Sequence, residues 1–178
     1  MRLFIAALLP KEIQRQLSLY INTLKPAVDG VKWEKPEKLH VTLKFLGDVE
    51  QNRIKEISSL LFRATQNCAS FQLSTTLFGA FPNLRNPKVL YAGLSQDKMM
   101  ANFQSSIEVG LSELGFESDN RKFMPHVTLG RVKKRIVLHN IPILEKKKFT
   151  ITEIGLIRSV LRPEGSVYTP VEIFKLEK

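Results

Sequence analysis

Apolar and polar positions along this chain follow two different periods, and the switches between them mark its elements. Leu3 to Leu9 is an unbroken apolar run before Pro10, which predicts a buried strand. After Pro10-Lys11-Glu12 the period lengthens. Ile13, Leu17, Tyr20, Ile21 and Leu24 recur at three- and four-residue spacing, so a helix with one apolar face should reach about Lys25. Pro26 and Gly30 break it. Val31-Lys32-Trp33 reads as a short strand, and Leu39 to Leu46 alternates as a strand ended by Gly47-Asp48. Ile54, Ile57, Leu60, Leu61 and Ala64 mark a second helix, roughly Gln51 to Gln66. Phe71 to Phe81 is β-like with Gly79 interrupting, and Val89 to Leu94 is another apolar run. Asp97 to Leu114 is a third amphipathic helix, closed by Gly115. Val127 to Val132, Phe149 to Ile157 and Val167 to Leu176 are the remaining strands, the last two joined by a turn at Arg162-Pro163-Glu164-Gly165.

The pattern also repeats. His40-Val41-Thr42-Leu43 returns as His126-Val127-Thr128-Leu129, an offset of 86. The same offset lays Arg2-Leu3-Phe4-Ile5-Ala6 on Lys88-Val89-Leu90-Tyr91-Ala92, and Pro10 to Lys25 on Gln96 to Leu111. Two strand-helix-strand units are indicated. The match weakens after the second tetrapeptide: Phe149 to Gly155 could correspond to Phe71 to Gly79, but the helix between is missing. The expectation is one α+β domain over residues 1–178, built of two pseudo-symmetric lobes at roughly 2–79 and 88–157. The halves should superpose about a pseudo-twofold.

Composition narrows the field. A chain of 178 residues buries enough surface to need no staples, and the single cysteine, Cys68, excludes a disulfide framework and any cysteine-based zinc site. One cysteine fits a reducing cytoplasm. No apolar run reaches 18 residues, so no membrane association is expected, and the N-terminal run is too short for a signal peptide. The net charge of +10 favours a polyanionic partner, nucleic acid first, although a merely solvated surface would give the same count.

The chemistry concentrates in the repeated tetrapeptide. Two of only three histidines sit in it. Residues i and i+2 of a strand share a face, about 6.6 Å apart. His40 and Thr42 therefore share one face, and Val41 and Leu43 the other. Pseudo-symmetry sets His126 and Thr128 opposite. Two imidazoles without a neighbouring carboxylate or cysteine make a poor metal site. No nucleophile elbow, phosphate loop or dinucleotide fingerprint is present. Two imidazoles titrating near neutrality suit one acid and one base, and two hydroxyls suit non-bridging phosphate oxygens. That set fits in-line displacement at phosphorus, and the basic surface fits an RNA-derived substrate.

These residues resemble the two-histidine (2H) phosphoesterase superfamily, defined by paired His-x-Thr-x motifs. Within it the chain is most similar to the RNA 2′,3′-cyclic phosphodiesterase family, also called bacterial and archaeal 2′-5′ RNA ligase. The likeness runs through Arg2 to Ala6, Trp33, Leu39 to Gly47, Gly79-Ala80-Phe81-Pro82, Pro125 to Arg131 and Gly165-Ser166-Val167-Tyr168. One departure is Gly130, where alanine is more usual, a difference expected to matter little. The resemblance implies a bilobal fold with antiparallel-rich sheets lining a central cleft and helices outside. It implies hydrolysis of RNA 2′,3′-cyclic phosphate ends, tRNA fragments among them, or of nucleoside 2′,3′-cyclic phosphates, to the 2′-phosphate. It implies catalysis without metal or cofactor, with reversible 2′-5′ ligation as a further activity; a monomer is expected, though the sequence does not fix the oligomeric state. In the family's assignment the first-motif His40 is proton donor and the second-motif His126 proton acceptor, with Thr42 and Thr128 on the phosphate. The residues by themselves leave open which histidine is which. They also leave open a non-hydrolytic module for RNA ends or nucleotides, and a phosphodiesterase acting on another cyclic phosphate or on a 2′-5′ linkage.

Four further residues are candidates for the substrate. Lys44 has the parity of His40 and Thr42 and should reach the cleft rim, whereas Phe45, with the parity of Val41, should pack in the core. Arg131 lies three after Thr128, so it faces away from the cleft unless the strand bends at Gly130. Tyr168 and Trp33 are candidates to stack a base, against the commoner use of such residues as core. His139 has no partner motif and reads as structural or surface. Lys133-Lys134-Arg135 and Lys146-Lys147-Lys148 are either RNA-backbone contacts or a solvated hairpin.

Overall fold

The computed structural model describes residues 1–66, 68–163 and 165–177. Its strands are β1 (Arg2–Leu8), β2 (Val31–Trp33), β3 (His40–Asp48), β4 (Phe71–Phe81), β5 (Val89–Leu94), β6 (His126–Val132), β7 (Lys148–Ile151), β8 (Glu153–Arg162) and β9 (Gly165–Lys175). Three helices interleave, α1 (Lys11–Leu24), α2 (Ile54–Gln66) and α3 (Lys98–Glu113). The mixed α and β class and the large antiparallel sheet are as expected.

Each helix forms where the three-four periodicity demands it. α1 buries Ile13, Leu17, Ile21 and Leu24, and α3 buries Met100, Phe103, Ile107 and Leu111. Asp97 caps α3 by accepting from the Met100 amide at 2.7 Å, which satisfies a donor that the first turn leaves free. The second helix starts later than its pattern suggested: Gln51–Arg53 is a 3₁₀ turn, and α2 begins at Ile54.

All nine strands form one sheet in the order β7-β4-β5-β6-β3-β1-β8-β9, with β2 on β6. Every strand pairing is antiparallel. The motif strands β3 and β6 are central neighbours, flanked by β1 and β5, then by β8 and β4. The order therefore reads alike from either end. Thr152 alone separates β7 from β8, so the sheet bends until its two flanks meet. The helices pack on one face, against Leu3, Ile5, Val41, Leu94, Val127 and Ile154 among others. The other face carries a smaller cluster of Phe4, Ala6 and Ile157, with Leu8 and Tyr168 against it.

Several expected boundaries shift. β3 does not stop at Gly47: its ladder with β1 runs to Arg2 opposite Asp48, and Gly47 sits in the ladder at φ 71°. Gly79 does not interrupt β4: it pairs with Tyr91 of β5, whose ring lies where a Cβ on Gly79 would be. The strand expected over Phe149 to Ile157 is two strands. The first, β7, pairs with β4 rather than repeating it, with Phe71 opposite Ile151. Glu164 of the expected turn lies outside the described residues, though Arg162 and Gly165 close the β8–β9 hairpin around it.

Candidate active site

The single register point between β3 and β6, Val41 opposite Val127, organises the site. Both valines are fully buried on the helix side. In an antiparallel pair the neighbours of such a point alternate faces, so His40 is carried toward Thr128 and Thr42 toward His126 on the open face. All four line one cleft of about 1030 Å³. A second cavity, about 790 Å³, lies on the far flank of Tyr91 and Met124 and holds neither histidine.

The two imidazoles are held alike. His40 Nδ1 lies 2.6 Å from the Lys38 carbonyl, and His126 Nδ1 lies 2.7 Å from the Met124 carbonyl. Each carbonyl sits two residues before its histidine and can only accept, so each Nδ1 carries the proton and each Nε2 is left to the cleft. The Thr42 hydroxyl lies 3.1 Å from His40 Nε2. Aromatic rings wall both: Phe4 and Tyr168 lie 4.9 and 5.6 Å from the His40 ring, and Phe81 and Tyr91 lie 5.0 and 5.4 Å from His126. Burial pushes the His40 imidazolium down to about 4, with help from the fields of His126 and Arg131 and against the Lys38 carbonyl. Burial also lowers His126, opposed by the Met124 carbonyl. Tyr168 is raised by burial and by the nearby Glu34 carboxylate.

Beyond each threonine the strand bulges, and the two bulges match. Opposite β1, Ile5 pairs with Lys44 and Ala6 with Thr42, which leaves Leu43 as an extra residue. Opposite β5, Leu90 pairs with Gly130 and Tyr91 with Thr128, which leaves Leu129 extra. An extra residue reverses the alternation beyond it. Arg131 is thereby turned onto the cleft face, where it is half exposed, with Nε 4.0 Å from Glu34 Oε1. The same bulge in β3 overturns two expectations. Phe45 is 65% exposed and lies on the cleft side with its ring 6.0 Å from Phe4, not in the core. Lys44 borders the cleft but does not present its ammonium at the rim: it is turned to the helix side, buried, and paired with Glu108 of α3.

Tyr168 is brought beside His40, with Lys38 Nζ 5.9 Å from its ring centroid. Trp33 is not brought there. It packs against the core clusters, with its ring over Gly130. His139 is exposed, away from the cleft. Among the described residues no group of three or more His, Cys, Asp or Glu could hold a metal ion. Among the described residues no helix is long and apolar enough to cross a membrane.

Sequence reading missed Lys38, Phe81, Lys88 and most of the 116–124 segment as cleft residues, and Phe4 and Tyr91 as rings packed against the two histidines. Phe4 sits in five consecutive buried positions, where no alternation betrays a cleft-facing side chain. The segment after α3 carries no periodicity at all.

A cleft in which two strand-borne histidines and two threonines converge across a pseudo-symmetric antiparallel sheet defines a two-histidine phosphoesterase. The model of the LigT-like phosphoesterase family matches residues 8–91 and 94–168, and the chain belongs to that family. Among curated relatives, an RNA 2′,3′-cyclic phosphodiesterase of Methanothermobacter thermautotrophicus is 31% identical, over 98% of each chain. Another so named, from Thermus thermophilus, is 31% identical over 99% of this chain and 90% of its own. Among solved structures, TT0787 of Thermus thermophilus superposes with a TM-score of 0.89 at 30% identity, covering 99% of this chain and 98% of that one. E. coli LigT complexed with 3′-AMP gives 0.84 at 27% identity with the same coverage.

Proposed function

We propose that this chain hydrolyses RNA 2′,3′-cyclic phosphate ends to 2′-phosphates by acid-base catalysis between His40 and His126. The observation that carries the reading is the matched pair of imidazoles, each locked through Nδ1 to a carbonyl and each offering Nε2 to one cleft. Binding alone does not require two titrating groups held so alike, which argues against a non-hydrolytic module. The relatives' names and the 3′-AMP complex of E. coli LigT support a ribonucleotide substrate. The whole chain acts as one two-lobed unit, and the mirrored strand order supports that reading.

In this mechanism water attacks phosphorus in line with O3′. His126 Nε2 takes the water proton and His40 gives its proton to O3′ as the P–O3′ bond breaks, leaving the phosphate on O2′. The Thr42 and Thr128 hydroxyls turn to the non-bridging oxygens, and Arg131 offsets their charge. Burial leaves His40 neutral near neutral pH, so it must gain a proton as the substrate anion arrives. The anion supplies the reason, because a negative charge beside the ring opposes the burial that, with lesser help from the fields of His126 and Arg131, holds the imidazolium down. The same displacement with a 5′-hydroxyl in place of water forms the P–O5′ bond as the P–O3′ bond breaks and leaves a 2′-5′ linkage, which would be the ligase activity. The test is turnover of adenosine 2′,3′-cyclic phosphate with excess chelator, with the isomer identified. Adenosine 2′-phosphate formed at an undiminished rate is expected. Activity that vanishes with chelator and returns with a divalent ion would sink the mechanism, and the 3′-isomer would reverse the bond assignment.

A further inference from the structure

Lys44 is a buried cation that the mechanism does not use. Its ammonium pairs with Glu108 and donates to the Glu117 carbonyl at 2.6 Å. The same Glu108 carboxylate accepts from the Asp119 amide at 2.7 Å. Gln104, one turn earlier on α3, reaches both the Leu43 carbonyl at 3.4 Å and Glu108 Oε2 at 3.5 Å. Leu43 is the bulged residue, so the bulge that turns Lys44 toward α3 also frees the carbonyl that Gln104 takes. Arg53 holds the start of the same segment, donating to the Leu114 carbonyl with its guanidinium 4.5 Å from the Phe116 ring centroid. The segment has no ladder or helix of its own. It nevertheless forms a wall of the cleft, through Phe116, Lys122, Phe123 and Met124, and runs directly into Pro125-His126. Its last carbonyl but one before the histidine, that of Met124, is the acceptor that orients His126.

We propose that the Lys44–Glu108 pair is a positioning strut: it sets the 114–124 wall against the first histidine motif, and through that wall the seat of the substrate's nucleoside part. This rests on the cyclic phosphodiesterase reading, since aromatic and cationic wall residues are what a base and its flanking phosphates would meet. Lys44 touches no reacting atom. A buried ion pair exchanged for apolar residues of similar size commonly leaves a fold as stable as before, whereas losing one partner strands a charge. The double variant Lys44→Met, Glu108→Leu therefore separates stability from position.

The experiment uses the full chain and an RNA oligonucleotide ending in a 2′,3′-cyclic phosphate, with amide exchange across 114–119 read in parallel. The double variant is expected to melt within a few degrees of wild type and to keep kcat within about twofold. KM should rise on the order of tenfold, with faster exchange confined to the wall. Glu108→Gln keeps the shape and removes the charge. It should shift KM and exchange in the same direction by less, and it serves if the double variant does not fold. Wild-type KM and exchange in these variants overturn the proposal. So does a fall in kcat at unchanged KM, which would put the ammonium on the reacting phosphate, and so does a KM that merely tracks melting temperature. A wild type that turns over no cyclic phosphate fails the functional reading, and the exchange data then decide the strut alone.

Discussion

His40 and His126 differ in how dry they are, and the difference predicts a pH profile. Burial disfavours both imidazolium forms, His40 to about 4 and His126 below its ordinary value. The kcat/KM limbs report the free enzyme, and the optimum of a bell lies midway between its two apparent constants. With both constants lowered, the optimum falls on the acid side of pH 6.5, the ordinary imidazole value. A bound phosphate anion favours imidazolium, so the kcat profile is displaced upward from that of kcat/KM. An optimum of kcat/KM above neutrality would contradict the burial that the structure shows. His40→Ala or His126→Ala should each lower kcat on the order of 10²-fold or more, and the double variant little further, because both act on one displacement. Thr42→Ala and Thr128→Ala each remove one hydrogen bond to a charged oxygen, about 1.5–3 kcal/mol, and are milder. The four motif residues were legible because strand parity is simple and the tetrapeptide repeats. The residues beyond them were not, since one extra residue in each strand exchanged the faces of Lys44 and Phe45 and turned Arg131 inward.

At the scale of elements, periodicity placed every helix and nearly every strand within a few residues. Apolar spacing is a local signal, and local packing obeys it. Pairing is not local. Nothing in Phe149 to Ile157 states that its first three residues join β4 and Ile154 to Ile157 join β1, because that division is set by partners far away in sequence. Gly130 shows the same limit. As a departure from a family pattern it was expected to matter little. In the fold it is the counterpart of Lys44, and β2 lies across it. A Cβ there would meet Val31 Cγ1 at 2.6 Å and Trp33 Cε3 at 3.0 Å. Valine is short and branched, and the indole is wedged between two clusters, so neither yields freely. Gly130→Ala is thus an overpacking substitution, expected to cost about 1–3 kcal/mol. Urea unfolding of the variant checks this, and a midpoint equal to wild type would mean that β2 is free to ride away from β6.

For the molecule as a whole, the question is what the net charge of +10 does. The chemical step uses a few groups at the centre of the cleft. Lys38, Lys88, Arg121 and Lys122 line the same cleft, and the charges of their side chains are not among those groups. Not all are free: Arg121 is bound to Asp119 at 2.6 Å, so its charge is locally offset. A mononucleotide cyclic phosphate brings one phosphate, which in the proposed mechanism the motif residues and Arg131 hold. An oligonucleotide brings further phosphates that can displace counterions at the outer cations. For single strands the logarithm of affinity falls with the logarithm of salt at a slope near −0.7 per phosphate neutralised. Two such contacts beyond the reacting phosphate would weaken binding about sevenfold between 50 and 200 mM salt. KM for a cyclic-phosphate-ended oligonucleotide should therefore climb more steeply with salt than KM for adenosine 2′,3′-cyclic phosphate, with kcat moving little for either. Parallel salt slopes for the two substrates would mean that the surplus charge lies outside the substrate's path and serves only as a solvated surface.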